Sequence, residues 1–429
     1  MLMQKGQFHT ATRSRRTTVA ALAAVLVPAA LQAQDSPPPS KPPVSQAWID
    51  VATHYSDIPG MATMGGYASG GMSGGMSAMF GGGKSGGNSF GNTRMTMSPG
   101  KWLDVSVMTR NQPDLAEALQ GIPPVLGLDA SLKLLTPPPE KYDPPGRDED
   151  PVEPKYEKPK GRVLLYWGCG DAVHAGQPRV FDAANADLDA MQKFFGKVRN
   201  STTRGARSAP GSPAWPNKVD DRRVPEGGSL VGEHHFTGNG IVDNFKFNLG
   251  GGQDFMPAFR ISQKAVDGAT QLQWANVTNA RGYFLSALGS SEKGKDSSEM
   301  VIWTSSEVPE PGFALVDYQT NAAVDKWIKE KAVLPASATQ CSVPKGIFAQ
   351  GAMLRAIAYG SVAVFVHPPR PTNPKALWEP QWQAQVRVKS TFMSLLGETD
   401  GRSGASGKAQ PEPDLMPNPV NVLKGLFGR

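Results

Sequence analysis

The chain has 429 residues, of which 47 are Gly and 38 Pro, together about a fifth of it against the ~12% of an average protein. Charged residues make up only 19% and hydrophobic residues 39%, which excludes a chain held open by self-repulsion, a coiled coil with sustained heptads and a polytopic membrane protein. The formal net charge is +6, and a folded part set between unstructured stretches fits these numbers.

Residues 1–18 carry Lys5, Arg13, Arg15 and Arg16 and no acid, and they lead into the apolar run from Val19 to Leu31. A basic start followed by an apolar stretch too short for the ~20 residues that span a bilayer is the pattern of a secretory signal. Cleavage is expected near Ala33, which makes 1–33 a signal peptide and places the mature protein in the periplasm or outside the cell. Arg15-Arg16 leaves twin-arginine export open beside the general route. Removing the four positive charges of the signal from +6 leaves +2. No Lys/Arg run interleaved with aromatics survives, so the footprint of nucleic-acid binding is absent and no transmembrane helix remains.

Residues 34–92 read as unstructured, first through Pro37, Pro38, Pro39, Pro42 and Pro43 and then through a Gly/Met/Ser tract. Met61, Met64, Met72, Met76 and Met79 lie in that tract, and thioethers are soft ligands that suit Cu(I). The alternative is that they are ordinary apolar residues of a Gly-rich segment. Gly71-Met72-Ser73-Gly74-Gly75 matches the G-x-S-x-G of hydrolases, but no strand-to-helix turn is expected around it. Gly81-Gly82-Gly83-Lys84-Ser85 resembles the end of a phosphate loop whose first Gly falls at Ala78. Neither match carries an activity.

An N-terminal β region is expected over 93–136. Met95, Met97 and then Trp102 to Met108 predict a hairpin about Ser98-Pro99-Gly100. Asn111 to Gln120 predicts a short helix stopped by Gly121, and Ala130 to Leu135 predicts a strand. Residues 137–160, with eight prolines, read as a linker. In the middle β region, 161–254, the run Arg162 to Trp167 reads as a buried central strand. A helix is expected over Asp182 to Phe195 and a loop over 200–229. Leu230 to Phe236 and Ile241 to Leu249 flank Asn239-Gly240, the strongest short hairpin signal.

A C-terminal β-sandwich-like domain is expected over 255–396. Its strands are read at Leu272 to Trp274, Tyr283 to Ala287, Glu299 to Ser305, Phe313 to Tyr318, Met353 to His367 and Gln381 to Phe392. A helix is read over 321–333. The last strand alternates Trp382, Ala384, Val386 and Val388 with Gln383, Gln385, Arg387 and Lys389, which predicts an antiparallel strand with one wet face. The tail 397–429 reads as flexible. Within it 418–427 is either a docking peptide for an envelope partner or a frayed end.

Leu272-Gln273-Trp274, Gly282-Tyr283-Phe284-Leu285 and Val301-Ile302-Trp303 resemble the B, C and C′ strands of a fibronectin type III or related immunoglobulin-like sandwich, over about 255–320. The resemblance implies an antiparallel β-sandwich serving as a binding or spacer module.

Cys169 and Cys341 are the two cysteines of an exported chain, and an even count in an oxidising compartment reads as one disulfide. Two buried free thiols are the alternative. Joined, they would close a loop of about 170 residues, for which the chain-entropy model gives roughly 5 kcal/mol as an upper figure. Glu233, His234 and His235 do not make a metal site, because successive side chains on a strand point to opposite faces. The sequence therefore predicts a mainly β, cell-envelope protein with one or two short helices and long disordered arms. Its role would be binding or structural, toward an envelope protein or a glycan, with no catalytic residue and no cofactor assigned. A periplasmic enzyme with a scattered site such as Asp171, His174 and Glu233 is the alternative, and Met-tract Cu(I) binding is the third.

Overall fold

The computed structural model describes residues 41–58, 88–94, 96, 98–138, 161–183, 185, 189–190, 194, 199–201, 203–290, 299–349, 351–373 and 376–397. The signal segment, the methionines from Met61 to Met79, both Gly-rich motif matches, Met95 and Met97, most of the 137–160 linker, most of the predicted helix at 182–195 and the docking segment 418–427 lie outside the described residues.

Seventeen strands follow one another among the described residues: β1 (Ser45–Ser56), β2 (Gly100–Thr109), β3 (Glu117–Gly121), β4 (Ser131–Leu135), β5 (Arg162–Trp167), β6 (Arg179–Asp182), β7 (Ala214–Trp215), β8 (Gly232–Gly238), β9 (Lys246–Leu249), β10 (Ser262–Val266), β11 (Ala269–Gln273), β12 (Gly282–Ser290), β13 (Glu299–Thr304), β14 (Leu334–Pro335), β15 (Gln340–Val343), β16 (Ala352–His367) and β17 (Trp382–Leu396). One helix, α1 (Asn321–Lys329), precedes β14, and its first turn is capped by the Thr320 hydroxyl, which accepts from Ala323 N. The chain is thus mainly β. Fourteen strands form one mixed sheet in the order β6-β5-β13-β12-β16-β17-β1-β2-β7-β4-β3-β8-β9, with β14 beside β12, and β10-β11-β15 form a second, smaller sheet.

At the centre stands β1, inside the stretch 34–92 that composition marked as unstructured. Its sequence, SQAWIDVATHYS, holds no Gly or Pro and is rich in aromatic and β-branched residues. It runs parallel to β17 and antiparallel to β2, so β2 finds its partner 50 residues earlier in the chain rather than in a hairpin about Ser98-Pro99-Gly100. Alternate residues Ala47, Ile49 and Val51 enter the main core. The large sheet curls until its β9 end meets the far half of β16 and β17: Phe247 stacks on Phe365 at 5.2 Å and Phe245 on Trp382 at 4.9 Å between ring centroids. The small sheet joins the same core through Leu272, Cys341 and Val343. On the opposite face, α1 packs Val324 and Trp327 against Phe284, Ile357 and Tyr359.

Several expectations are corrected. The region 111–120 holds no helix; Glu117–Gly121 is β3, paired with β4 and β8, because its apolar residues Leu115 and Ala118 also suit a strand end and tertiary pairing overrides propensity. Phe313 to Tyr318 forms turns, with Gly312 at φ 77° and its N–H bonded to the Glu310 carboxylate. Arg162–Trp167 is a strand but lies one place from the sheet's end. The wet face expected on β17 is buried at Arg387 and Lys389, 4% and 0% exposed, while Gln383 and Gln385 stay part-exposed. The 230–249 hairpin forms with a longer connection, since the last cross-strand backbone bond runs from Phe236 N–H to Phe245 O, well short of Asn239-Gly240.

The structure joins Cys169 to Cys341, with Cα atoms 5.0 Å apart. The bond links the loop after β5, in the large sheet, to β15 in the small one. Gly170 N–H donates to Ser342 O beside it at 3.0 Å. Among the described residues no helix is long and apolar enough to cross a membrane.

Candidate functional site: a buried charged face and the pocket at its end

Register places Asp50 on β1 directly opposite Arg387 on β17 and Asp104 on β2. All three point away from the Ala47–Ile49–Val51 face, onto the side covered by α1 and by loops. Arg387 grips Asp50 with both arms of its guanidinium, Nε to Oδ1 at 2.7 Å and Nη2 to Oδ2 at 2.5 Å, a bidentate pair with both partners almost fully buried. Two positions on, Lys389 Nζ reaches Asp317 Oδ1 at 2.8 Å and Arg94 O at 2.9 Å. The Tyr318 ring lies against both cations, at 4.2 Å from Arg387 and 4.3 Å from Lys389, and its hydroxyl donates to Val51 O.

Two straps close this face. Residues 203–207 lie across it, with Ala206 N–H on Asp50 Oδ2 at 3.1 Å, Arg387 Nη1 on Thr203 O at 2.9 Å, Arg207 N–H on Ser106 Oγ at 3.0 Å, and Arg204 stacked over Trp48. The strap runs so close that a Cβ on Gly205 would collide with the Arg387 guanidinium and the Asp50 carboxylate. Residues 88–94 form the second strap. Asp104 accepts from Gly91 N–H, from Thr93 N–H and from the Thr93 hydroxyl. Burial pushes Asp104 up to about 7 despite these donors, with Asp50 adding to the rise.

His54 closes the row. Its Nε2 faces Asn92 O at 2.9 Å, and a carbonyl only accepts, so Nε2 carries the proton and Nδ1 accepts from the Thr391 hydroxyl at 2.5 Å. Burial first, and Lys389 second, lower its pKa to about 3, so the ring is neutral and both nitrogens are engaged.

Where β1, β16 and β17 end together, a pocket opens among His54, Ser56, Arg94, Thr96, Arg355 and Thr391, with a cavity volume of about 20 Å³. Tyr55, Val316, Phe392 and Met393 form its apolar wall. Tyr55 stacks on Phe392, and Arg260 lies over Tyr55 at 3.9 Å. Among the described residues no lining residue of this pocket is an acid. Arg355 has no ion pair among the described residues. Burial lowers its pKa from the usual guanidinium value, and Asp317, already bound to Lys389, pulls the other way.

The sequence-predicted site residues lie elsewhere. Asp171 and His174 are exposed in the loop after β5, and Glu233 is exposed on β8, most of the sheet away in strand order. His234 is buried, bonding Leu230 O and Gln120, while His235 faces solvent, so the two point apart as strand geometry requires. No group of three or more His, Cys, Asp or Glu with metal-binding geometry occurs among the described residues. The residues that sequence reasoning missed share one signal, a charge flanked by apolar residues inside a strand: Asp50 in WIDVA, Asp104 in WLDVS, Arg387 in AQVRV.

No family model matches the sequence, and no curated protein or solved structure matches it either.

Proposed function

We propose that the chain is an exported cell-envelope protein with a binding role, and that the pocket at the end of the buried charged face is where its ligand sits. Export rests on the basic, apolar and small-residue order of residues 1–33. The observation that carries the binding reading is a contrast within one face of one sheet. Arg387 and Lys389 are matched by carboxylates of the chain, whereas Arg355, at a position that opens outward, has no ion pair among the described residues. Binding is preferred to catalysis because burial lowers the pKa of the pocket's histidine to about 3, far from a useful proton acceptor, and both its nitrogens are already bonded. The fibronectin type III-like reading of 255–320 belongs to the same proposal, and what supports it is that Leu272 and Trp274 share one core with Tyr283, Leu285 and Trp303.

Fractionation of cells expressing the full chain tests export, and a thermal-shift screen of envelope-derived small molecules against the mature protein tests binding. Hits whose stabilisation is lost in Arg355→Met support the reading. Turnover of those hits by the wild-type protein would instead favour the periplasmic enzyme.

A further inference from the structure

The chemistry of the pocket narrows what can fill it. Among the described residues no carboxylate receives the Arg355 guanidinium fork, and such a fork matches a planar carboxylate or a phosphate in a bidentate way. Arg94, on the strap, lines the same opening. Two hydroxyls face it with their protons uncommitted: Ser56 Oγ accepts from Ile58 N–H and Thr96 Oγ1 accepts from Ser98 N–H, so each retains an O–H to donate. Thr391 is spent on His54. The site therefore offers cations and donors, with the neutral His54 ring already saturated.

Size favours the smaller anion. The enclosed part of the pocket, about 20 Å³, holds roughly one or two water-sized groups, which the two oxygens of a carboxylate match more closely than the three or four of a phosphate. The remaining wall, Tyr55, Val316, Phe392 and Met393, is apolar and suits the stem behind the charged group.

We infer that the pocket binds a carboxylate carried on a slender apolar stem, with Arg355 as the main anchor and Arg94, Ser56 and Thr96 completing the cradle. The inference rests on the pocket being the binding site. A free monocarboxylic acid and the C-terminus of a peptide ending in an apolar residue both supply this group.

Isothermal titration of the mature full-length protein with hexanoate, hexanamide and inorganic phosphate tests it. Saturable one-to-one binding of hexanoate is expected, at least tenfold tighter than hexanamide or phosphate, since a charge-assisted bond to a partly enclosed guanidinium is worth about that factor or more. Arg355→Met should weaken hexanoate binding tenfold or more. Arg94→Gln, at an exposed position that leaves folding intact, should weaken it several-fold. Acetyl-Gly-Leu as free acid and as amide then separates the two sources: a preference for the acid peptide over hexanoate assigns the peptide C-terminus, and the reverse assigns the free acid. Equal binding of hexanoate and hexanamide, or tighter binding of phosphate, overturns the carboxylate while leaving the binding pocket standing. Saturation by none of the probes, in a protein whose Arg355→Met variant also loses no hit from the envelope screen, overturns both.

Discussion

Arg387 and Lys389 on the charged face each hold a carboxylate, Asp50 and Asp317, and the free energy of these two contacts lies in the pairing. Removing one member of a buried pair strands the other charge and costs about 3–5 kcal/mol, whereas replacing both by apolar groups is often near neutral. Asp50→Ala, which strands Arg387 under the 203–207 strap, is therefore expected to lower stability in urea by about that amount, and Asp50→Val with Arg387→Met to recover most of it. Equal losses in the single and double variants would show that the pair contributes through packing instead. Asp104 and His54 titrate in opposite senses. Asp104 is raised to about 7 in the folded state, so the folded protein holds a proton that the unfolded chain has released, and its contribution to stability falls as pH rises from about 4 to 7. His54, lowered to about 3, contributes stability that rises over about pH 3 to 6.5 as the unfolded chain gives up its proton. Over their shared range the two nearly cancel. Asp104→Asn removes one side, and its stability relative to wild type should climb by about 1.4 kcal/mol per pH unit between about 4 and 6. A pH-independent difference, measured by urea unfolding across that range, would contradict the assignment.

Elements differ in how openly the sequence declares them. β16, β17, β12, β13 and α1 were legible because each is long or carries one clear period, and the Asn239-Gly240 hairpin because its turn chemistry is local. β3 was read as a helix because Asn111, Pro113 and Gly121 mimic helix caps over ten residues, while the pairing that makes it a strand comes from β4 and β8. The candidate site was illegible for the same reason. Its Asp50–Arg387 contact needs the parallel β1–β17 neighbours, which are more than 300 residues apart, and its pocket is assembled from five separate segments. An unpaired charge inside an apolar strand was the visible trace, and it was misread on β17 as a wet face. The disulfide was legible from the count alone. Cys169→Ser with Cys341→Ser should cost about 2–5 kcal/mol, since the bond closes a long loop and ties the large sheet to the small one. A melting temperature unchanged by the double replacement would mean that the two sheets hold together through the shared core alone.

Across the whole molecule, the chain crosses itself repeatedly, and segments that look like linkers in sequence are bound into the sheet. The stretch 200–229 reads as a loop in sequence, yet Ala206, Trp215 and Val224 are buried within it and Arg222 is clasped by Asp220 and Asp129. Limited proteolysis of the mature protein should therefore spare 203–229, with early cuts falling in the Gly/Met tract of 60–87, the Pro-rich 139–160 and the polar 398–414, as their composition predicts. Early cleavage within 203–229 would contradict the strap. The central claim is that β1 sits between β17 and β2 and builds the face that ends in the pocket. Hydrogen exchange resolved along the mature chain tests this most directly: the amides of Ile49 to Thr53 should exchange as slowly as those of Val386 to Ser390, at rates set by global unfolding. Exchange over Ile49 to Thr53 as fast as in the 398–414 tail would contradict it.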